Sequence, residues 1–342
     1  MKHFLIFIVV IFVALFGILS FRNAGDPNRD TRPVLKVVAS SSFTKQWGPG
    51  PWLKEKFESV CGCRVEYLDA ADSVLIMQKL KSEIVNADVV LGFDQYDLEM
   101  ANKGIEWKEI KSDGFDFYEN IKNTLGRSNL VPYDWGIMAF LVRQSKLKEL
   151  PKGFDDLLRP EYKEQISLQD PRTSSAGLQF LFWLIQAKGE ESAFRFVEKL
   201  NSQVKIYGSN WSMSYGLFQK EQVLTTVSWV TSTAYHKVEE KNSDIVAAEF
   251  SEGHPVQIEY MGIPDNCHNC DLAHKFVELV LSREGQKIIM EKNYMYPVIK
   301  NVKEGTAFGE IPSYKLIDMQ TIPTQSDRER ILKKWSQLRR GE

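Results

Sequence analysis

Short apolar runs alternate with amphipathic segments from residue 34 to the C-terminus, and this alternation leaves few folds open to the chain. Helical spacing of apolar residues covers 73–84, 177–186, 191–200, 271–293 and 325–340. Strand-like runs cover 34–40, 63–69, 87–92, 138–143, 165–170, 203–208, 223–229, 244–250 and 256–263. Strands that alternate with helices are typical of an α/β fold, and the pattern predicts a largely parallel sheet.

The length of 342 residues suits two modest domains, and no flexible linker is apparent between them. Two domains would therefore be joined by strands or short crossovers. Apolar residues at 43% and charged residues at 26% are ordinary for a globular protein. The net charge of −2 gives no indication of a nucleic-acid binder.

The N-terminus carries an uncharged apolar run, residues 4–21, after the basic start Met1-Lys2-His3. Such a segment is typical of a secretory signal peptide, and its length is also near the lower limit for a membrane span. We interpret residues 1–33 as either a cleaved signal peptide or a retained N-terminal membrane anchor. Both alternatives predict a periplasmic or otherwise extracytoplasmic chain whose only membrane contact is this segment.

The four cysteines form two close pairs, Cys61 with Cys63 and Cys267 with Cys270. An even number of paired thiols in an exported chain indicates disulfides. The alternative for the second pair is a zinc site, because Cys267, Cys270 and His274 have suitable ligand spacing. Export favours the disulfides, and no fourth zinc ligand is visible nearby in the sequence.

Ligands of α/β proteins bind beyond the carboxyl ends of the strands, often at helix N-termini, so the loops after the strands are the candidate site. Ser73, Ser174 and Ser175 lie where such loops open helices. Hydroxyls and free backbone N–H groups at a helix start can bind an anion such as a phosphate. The alternative interpretation is that each serine is only an N-cap.

Aromatic and acidic residues also fall in these loops. Aromatic faces hold flat or cationic ligands by stacking and cation–π attraction, and a carboxylate can pair with a bound cation. The alternatives are core packing for the rings, which we expect for Trp183 in its apolar helix, and solvated or capping roles for the carboxylates. The candidates are Trp211, Trp229 and Tyr235, with Trp47 and Tyr294 as additions, and the carboxylates Asp72 and Asp134.

A catalytic constellation does not emerge from the sequence. The common nucleophile, metalloprotease, phosphate-loop and dinucleotide motifs do not occur. His236 and His254 have no nucleophile partner nearby in sequence, so we interpret both as structural. The sequence therefore predicts a protein without enzymatic activity, resident metal or cofactor.

Several motifs resemble the thiamine-binding periplasmic proteins of bacterial thiamine ABC transporters. The matches follow the order of that family from about residue 34 to about residue 300. They are SFTKQWGPGPWLKEKFE, the C-x-C pair, ADVVLG, VPYDWG, QDPRTSSAGL, NWSMSYGLF, TSTAYH, FSEGH and MYPV.

The resemblance implies a two-lobed periplasmic-binding-protein fold, type II-like, with a hinge and a ligand cleft between the lobes. It implies a monomer that captures thiamine or its phosphate esters and delivers them to an ABC transporter permease with its ATPase. Family ligand contacts match Asp72, Ser73, Ser174, Ser175, Trp211, Trp229, Val230, Thr231, Ser232 and Tyr235.

The sequence departs from the family at three aromatic positions and in one insertion. Ser40 stands where better-known members have a tyrosine, which removes one aromatic face. Trp229 stands where a tyrosine is common and Tyr294 where a tryptophan is common, so both keep an aromatic face. The insertion is the CHNC segment near Cys267.

We predict one lobe from residues 34–137 and 256–300, a second from 138–255, and a C-terminal helical segment from 301–342. The crossings between the lobes would form the hinge. Two alternatives to the thiamine function stay open. One is a binding protein of the same fold for ferric ion, an oxyanion or a polyamine. The other is a thiaminase-like enzyme with a cysteine nucleophile.

Overall fold

The computed structural model describes residues 30–81, 86–125, 129–317 and 323–340. The strands are β1 (Val34–Ala39), β2 (Arg64–Asp69), β3 (Val89–Asp94), β4 (Val131–Arg143), β5 (Ile166–Gln169), β6 (Val204–Gly208), β7 (Thr225–Trp229), β8 (Ile245–Ala247), β9 (Val256–Gly262) and β10 (Tyr296–Pro297). The α-helices are α1 (Ser41–Thr44), α2 (Pro49–Cys61), α3 (Ser73–Lys81), α4 (Leu98–Gly104), α5 (Glu119–Lys122), α6 (Ser175–Lys188), α7 (Glu190–Leu200), α8 (Trp211–Gln219), α9 (Ser232–Val238), α10 (Cys270–Leu281), α11 (Arg283–Asn293) and α12 (Gln325–Arg340).

The strands form a mixed sheet in the order β2-β1-β3-β9-β4-β7-β5-β6, and β8 and β10 also pair with β4. β1 is parallel to β2 and β3, and β5 is parallel to β6 and β7. The pairings that involve β4 and β9 are antiparallel. The predicted α/β class is confirmed. The prediction of a largely parallel sheet is wrong, because β9 returns between β3 and β4 with the opposite direction.

The long strand β4 joins the two parts of the sheet. Its first half pairs with β9 over Val131–Ile137, and its second half pairs with β7 from Met138 onward. Gly136 lies at this transition, and a β-carbon there would be 2.5 Å from Cδ1 of Trp229. Glycine is therefore required for the indole to pack against the strand.

Two large apolar cores lie on either side of this transition. The first core collects β1 and β3 with α2, α10 and α11, and Phe57 packs edge-on against Phe276 in it. The second core collects the second half of β4 with α6 and α7. Trp183 is fully buried there, which confirms its interpretation as a core residue.

The C-terminal region is helical only in part. Residues 301–317 form turns and one β-bridge, between Leu316 and His254, rather than helix. Helix α12 follows and places Trp335 in the second core, where its ring meets Tyr207 edge-on at 5.0 Å. The prediction of a helical segment over 301–342 is therefore correct for 325–340 and wrong for 301–317, where the short turns leave no room for a helix.

Both cysteine pairs are disulfides, Cys61–Cys63 and Cys267–Cys270. This confirms the favoured interpretation and excludes the zinc alternative with His274, because both sulfurs are bonded to each other. The carboxylate of Asp88 fixes the second disulfide loop, since it accepts the backbone N–H groups of His268 and Asn269 at 2.8 Å.

The predicted signal or anchor, residues 4–21, lies outside the described residues. Within the described ranges, no helix is long and apolar enough to cross a membrane.

Candidate functional site

The loops after β1, β2, β5, β6 and β7 converge on one cavity of about 470 Å³. Each loop leads directly into a helix, namely α1, α3, α6, α8 and α9. The end of helix α11 closes the cavity from the first core. The lining of the cavity thus comes largely from loops at the carboxyl ends of strands, as the α/β pattern predicted.

The cavity brings most of the predicted site residues together, from both cores. Nine of them line it: Trp47, Asp72, Ser73, Ser175, Trp211, Trp229, Ser232, Tyr235 and Tyr294. Three others lie behind the lining. Ser174 and Thr231 are fully buried, and Val230 is part of the first core.

The aromatic wall is built from α8 and β7. The Trp211 ring stacks on Tyr215 with centroids 4.4 Å apart, and it lies 6.0 Å from the Trp229 ring. The Trp211 indole N–H donates to Oγ of Ser228 at 3.0 Å. One face of Trp211 is therefore supported from behind and the ring is held in one orientation. Tyr235 and Tyr294 meet edge-on at 5.0 Å on another part of the lining.

A buried histidine supports this wall from the second layer. The Tyr215 hydroxyl lies 2.8 Å from Nε2 of His236, and Nδ1 of His236 lies 2.7 Å from the Glu240 carboxylate. Burial lowers the pKa of His236, so the imidazole is neutral, accepts from the tyrosine and donates to the carboxylate. His254 is buried in the second core, where it accepts the Phe250 N–H. Both contacts are structural, as interpreted from the sequence.

The carboxylate of Asp72 occupies the N-terminus of helix α6. Its Oδ1 accepts the Ser175 backbone N–H at 3.0 Å. Burial raises the pKa of Asp72 to about 6, although this hydrogen bond opposes the shift. Ser174 is the N-cap residue of α6, but its hydroxyl makes no capping hydrogen bond.

The backbone is strained at two points of the lining. Ala71 has φ of 67° and Tyr294 has φ of 52°, although neither is glycine. Left-handed conformations of such residues are uncommon and persist where the surroundings impose them, often at functional sites. Ala71 precedes Asp72, so the strained loop presents that carboxylate to the cavity.

Asp134 does not line the cavity, contrary to the expectation that it is a loop carboxylate. It lies within β4, is fully buried, and accepts the Asn293 side-chain N–H at 2.7 Å. Its register partner on β9 is Glu259, which does line the cavity. The acidic contribution from this side thus comes from Glu259.

Several residues of the lining were not predicted from the sequence. Glu259 carried a signal, because it is the one charge in the strand-like run 256–263. Asn210 carried another, as an N-cap residue beside Trp211, and it accepts the Met213 N–H. The others are Ser41, Ser42, Ala71, Gly92, Ala176, Ser212, Tyr215, Gln219, Lys292, Asn293 and Met295. Ser40 also lines the cavity, and its hydroxyl lies 2.9 Å from that of Ser42.

A family model for bacterial extracellular solute-binding proteins matches residues 86–317. The chain belongs to this family. The thiamine-binding periplasmic protein of Salmonella typhimurium (strain LT2) is 37% identical over 271 residues, which are 78% of this chain and 81% of that protein. The corresponding protein of Brucella melitensis is 33% identical over 296 residues, 84% of this chain and 86% of that protein.

A solved structure of a periplasmic thiamin binding protein superposes with a TM-score of 0.77 and 31% identity. The match covers 90% of this chain and 96% of that chain. It confirms the predicted α/β, two-lobed binding-protein fold. Membership of a solute-binding family also confirms that the chain is a binding protein rather than an enzyme, and the family name places it outside the cytoplasm.

Proposed function

We propose that the chain captures thiamine or a thiamine phosphate ester outside the cytoplasm and delivers it to an ABC importer. The observation that carries the proposal is the cavity, whose lining combines supported aromatic rings with two carboxylates, Asp72 and Glu259. Its volume of about 470 Å³ falls in the range typical of small-molecule sites, roughly 300 to 1,000 Å³. The similarity to proteins that are named for thiamine binding supports the choice of ligand.

Thiamine matches this chemistry at both of its rings. It has a permanently charged thiazolium and a flat aminopyrimidine. Flat and cationic rings gain stacking and cation–π energy from indoles such as Trp211 and Trp229, roughly 0.5 to 2 kcal/mol for each ring. A carboxylate in the same cavity adds an attraction to the cation that water screens only weakly.

A phosphate ester would extend toward Ser73 at the start of α3 and toward Ser174 and Ser175 at the start of α6. The N–H of Ser175 that would meet a phosphate is bonded to Asp72. An ester must therefore displace this carboxylate or bind beside its protonated form. We infer that free thiamine fits the observed arrangement with less rearrangement than its diphosphate.

The same proposal includes the organisation of the chain. We place one lobe at 34–137 and 256–300 and the other at 138–255, with closure around the crossings at β4. The change of partner along β4, from β9 to β7, supports a hinge at this point. Residues 1–33 serve as a signal peptide or membrane anchor, and the chain acts as a monomer with a permease and its ATPase as partners.

Two of the rival solutes, an oxyanion and ferric ion, fit the lining less well. An oxyanion calls for cations, and Lys292 is the one basic side chain among the lining residues that the structure describes. Ferric ion calls for clustered hard ligands. The described part of the chain holds no group of three or more His, Cys, Asp and Glu side chains suited to a metal.

Calorimetric titration of the full-length protein tests the proposal, after unfolding and refolding have removed any carried ligand. We expect thiamine to bind with a Kd at or below about 1 µM, equivalent to about −8 kcal/mol. Thiamine monophosphate and diphosphate are titrated next, and ferric citrate, phosphate and spermidine serve as rivals. A folded sample that binds a rival and none of the three thiamine compounds would contradict the proposal.

A further inference from the structure

Two carboxyl groups lie side by side at the inner end of the cavity. Glu259 on β9 and Asp134 on β4 are partners in the antiparallel register and are hydrogen-bonded to each other. Glu259 is half-buried and faces the cavity, whereas Asp134 lies behind it and is fully buried. Two carboxylates in hydrogen-bond contact cannot both be ionised at low cost, so the pair shares one proton.

The hydrogen bonds around the pair are unequal. Glu259 accepts the Tyr133 hydroxyl at 2.5 Å and the Gln257 side-chain N–H at 3.1 Å. Asp134 accepts one donor, Asn293, and its Oδ1 meets no other donor among the described residues. Donors stabilise the ionised form, so this geometry favours the negative charge on Glu259 and the proton on Asp134.

The electrostatic trend agrees with that assignment. Burial raises the pKa of both groups, to about 7 for Glu259. The hydrogen bond between them raises the pKa of Asp134 further and lowers that of Glu259.

We propose that Glu259 is the residue that selects a cationic ring in this cavity, and that Asp134 keeps the single proton of the pair. The inference rests on the proposed function, because it names the group that recognises the thiazolium of thiamine. Glu259 then presents a carboxylate to the ligand and is held in place by Tyr133 and Gln257. A neutral ring of the same shape brings no positive charge to the half-buried Glu259 carboxylate, so it binds more weakly.

Three other charged side chains lie near Glu259, and none of them supplies a positive charge to its carboxylate. Asp72 also lines the cavity and has the same sign, so it reinforces the attraction for a cation. Asp94, the register partner of Glu259 on β3, accepts the Gln179 side-chain N–H. Lys292 also lines the cavity, but its ammonium group lies over the Trp52 ring, 4.7 Å from the centroid.

The test compares thiamine with its thiophene analogue, in which a neutral ring of the same shape replaces the thiazolium. Both are titrated by calorimetry into the full-length protein. We expect the wild type to prefer thiamine. Glu259→Gln, which keeps the size of the side chain, should lower the thiamine affinity at least about tenfold and leave the analogue within about twofold. The preference for the cation is then lost.

A variant of Asp134 tests whether the charge that recognises the cation lies on Glu259, and a variant of Glu304 serves as the control. Asp134→Asn should keep the preference for thiamine, because the charge stays on Glu259, although its absolute affinities change. Glu304→Gln, an exposed residue bonded to Tyr118, should leave both affinities unchanged and serves as the control. A Glu259→Gln variant that keeps the preference, or an Asp134→Asn variant that loses it, would overturn the inference.

The outcomes separate this inference from the proposed function. A wild type that binds thiamine and the analogue equally overturns the role of Glu259 alone. A wild type that binds neither overturns the thiamine function and the inference with it. If Glu259→Gln does not fold, the wild-type preference is followed from about pH 8 to about pH 5, where it should fall as Glu259 takes up a proton. A constant preference would overturn the inference.

Discussion

At the scale of single residues, the rings of the aromatic wall are held in place by neighbouring side chains. Trp211 is stacked on Tyr215 and bonded to Ser228, and Tyr215 is in turn bonded to His236. This support reduces the conformational freedom that a ring would lose on binding. The aromatic wall is therefore preorganised for a flat ligand.

Trp211→Ala is expected to weaken thiamine binding by roughly 1 to 3 kcal/mol, because stacking and cation–π attraction are both lost. Calorimetric titration measures the change. Tyr118→Ala is the control, since its ring lies outside the lining and its hydroxyl donates to Glu304. An unchanged affinity in the Trp211 variant would show that the aromatic wall does not contribute to thiamine binding.

His236→Gln should lower the free energy of unfolding by about 1 to 3 kcal/mol near neutral pH, because Tyr215 and Glu240 lose a buried partner. Burial lowers the folded-state pKa of His236, so the unfolded chain binds the proton first as the pH falls. The stability that His236 provides is thus present above its ordinary pKa of about 6.5 and declines below it.

Urea unfolding of the wild type and the His236→Gln variant measures this contribution. The difference between them should narrow from about pH 7.5 to about pH 5.5. A difference that stays constant or widens on acidification would show that His236 is not a buried neutral group.

The residue scale also shows where sequence reasoning reached its limit. Trp211 and Tyr235 were recognisable because they follow strands among polar loop residues. The signal of Glu259, a single charge in a strand-like run, was ambiguous, because a charge that alternates with apolar residues is also typical of the solvent-facing side of a strand. Asp134 was wrongly predicted to lie in a loop. Pro132 and Gly136 interrupt the apolar run there, so the first half of β4 does not resemble a strand in the sequence.

At the scale of elements, the sequence predicted the positions of most strands correctly, but it did not predict their directions in the sheet. Buried strands contain nearly continuous apolar runs, so their positions are visible in the sequence. Their order and direction depend on contacts between distant segments, such as β9 returning between β3 and β4. No local pattern encodes such a contact.

Helix α12 connects the second core to the start of helix α4. Ile331 and Trp335 pack in the second core, while Arg328 reaches Asp97 beside α4 at 2.9 Å. Asp97 is buried and the Arg328 side chain is largely covered, whereas Arg330 on the same helix makes an exposed pair with Glu190.

Arg328→Met is expected to lower the free energy of unfolding by about 3 to 5 kcal/mol, because it leaves the Asp97 carboxylate buried without its cation. Arg330→Met, the matched control, should change it by at most about 1 kcal/mol. Urea unfolding measures both. Equal losses in the two variants would contradict the bridging role of Arg328.

At the scale of the whole molecule, the cavity draws on loops from both parts of the sheet, and β4 connects those parts. The sequence pattern predicted an α/β protein with ligand groups at strand ends, because that placement follows from strand direction. It could not predict that Asp72 from one part would bond to the N–H of Ser175 from the other. Such a contact exists only once the chain has folded.

Thiol titration in denaturant without reductant should detect no free thiol, because the four cysteines form two disulfides. The same titration after reduction should detect all four. A free thiol in the unreduced protein would reopen the alternative of an enzyme with a cysteine nucleophile.

A crystal structure of the protein with thiamine would show whether the cavity binds this ligand and which side chains contact its two rings. We predict one thiamine in the cavity, with a ring stacked on Trp211 and the thiazolium beside Glu259. Thiamine bound outside the cavity, or in it with the thiazolium away from both Asp72 and Glu259, would contradict the account.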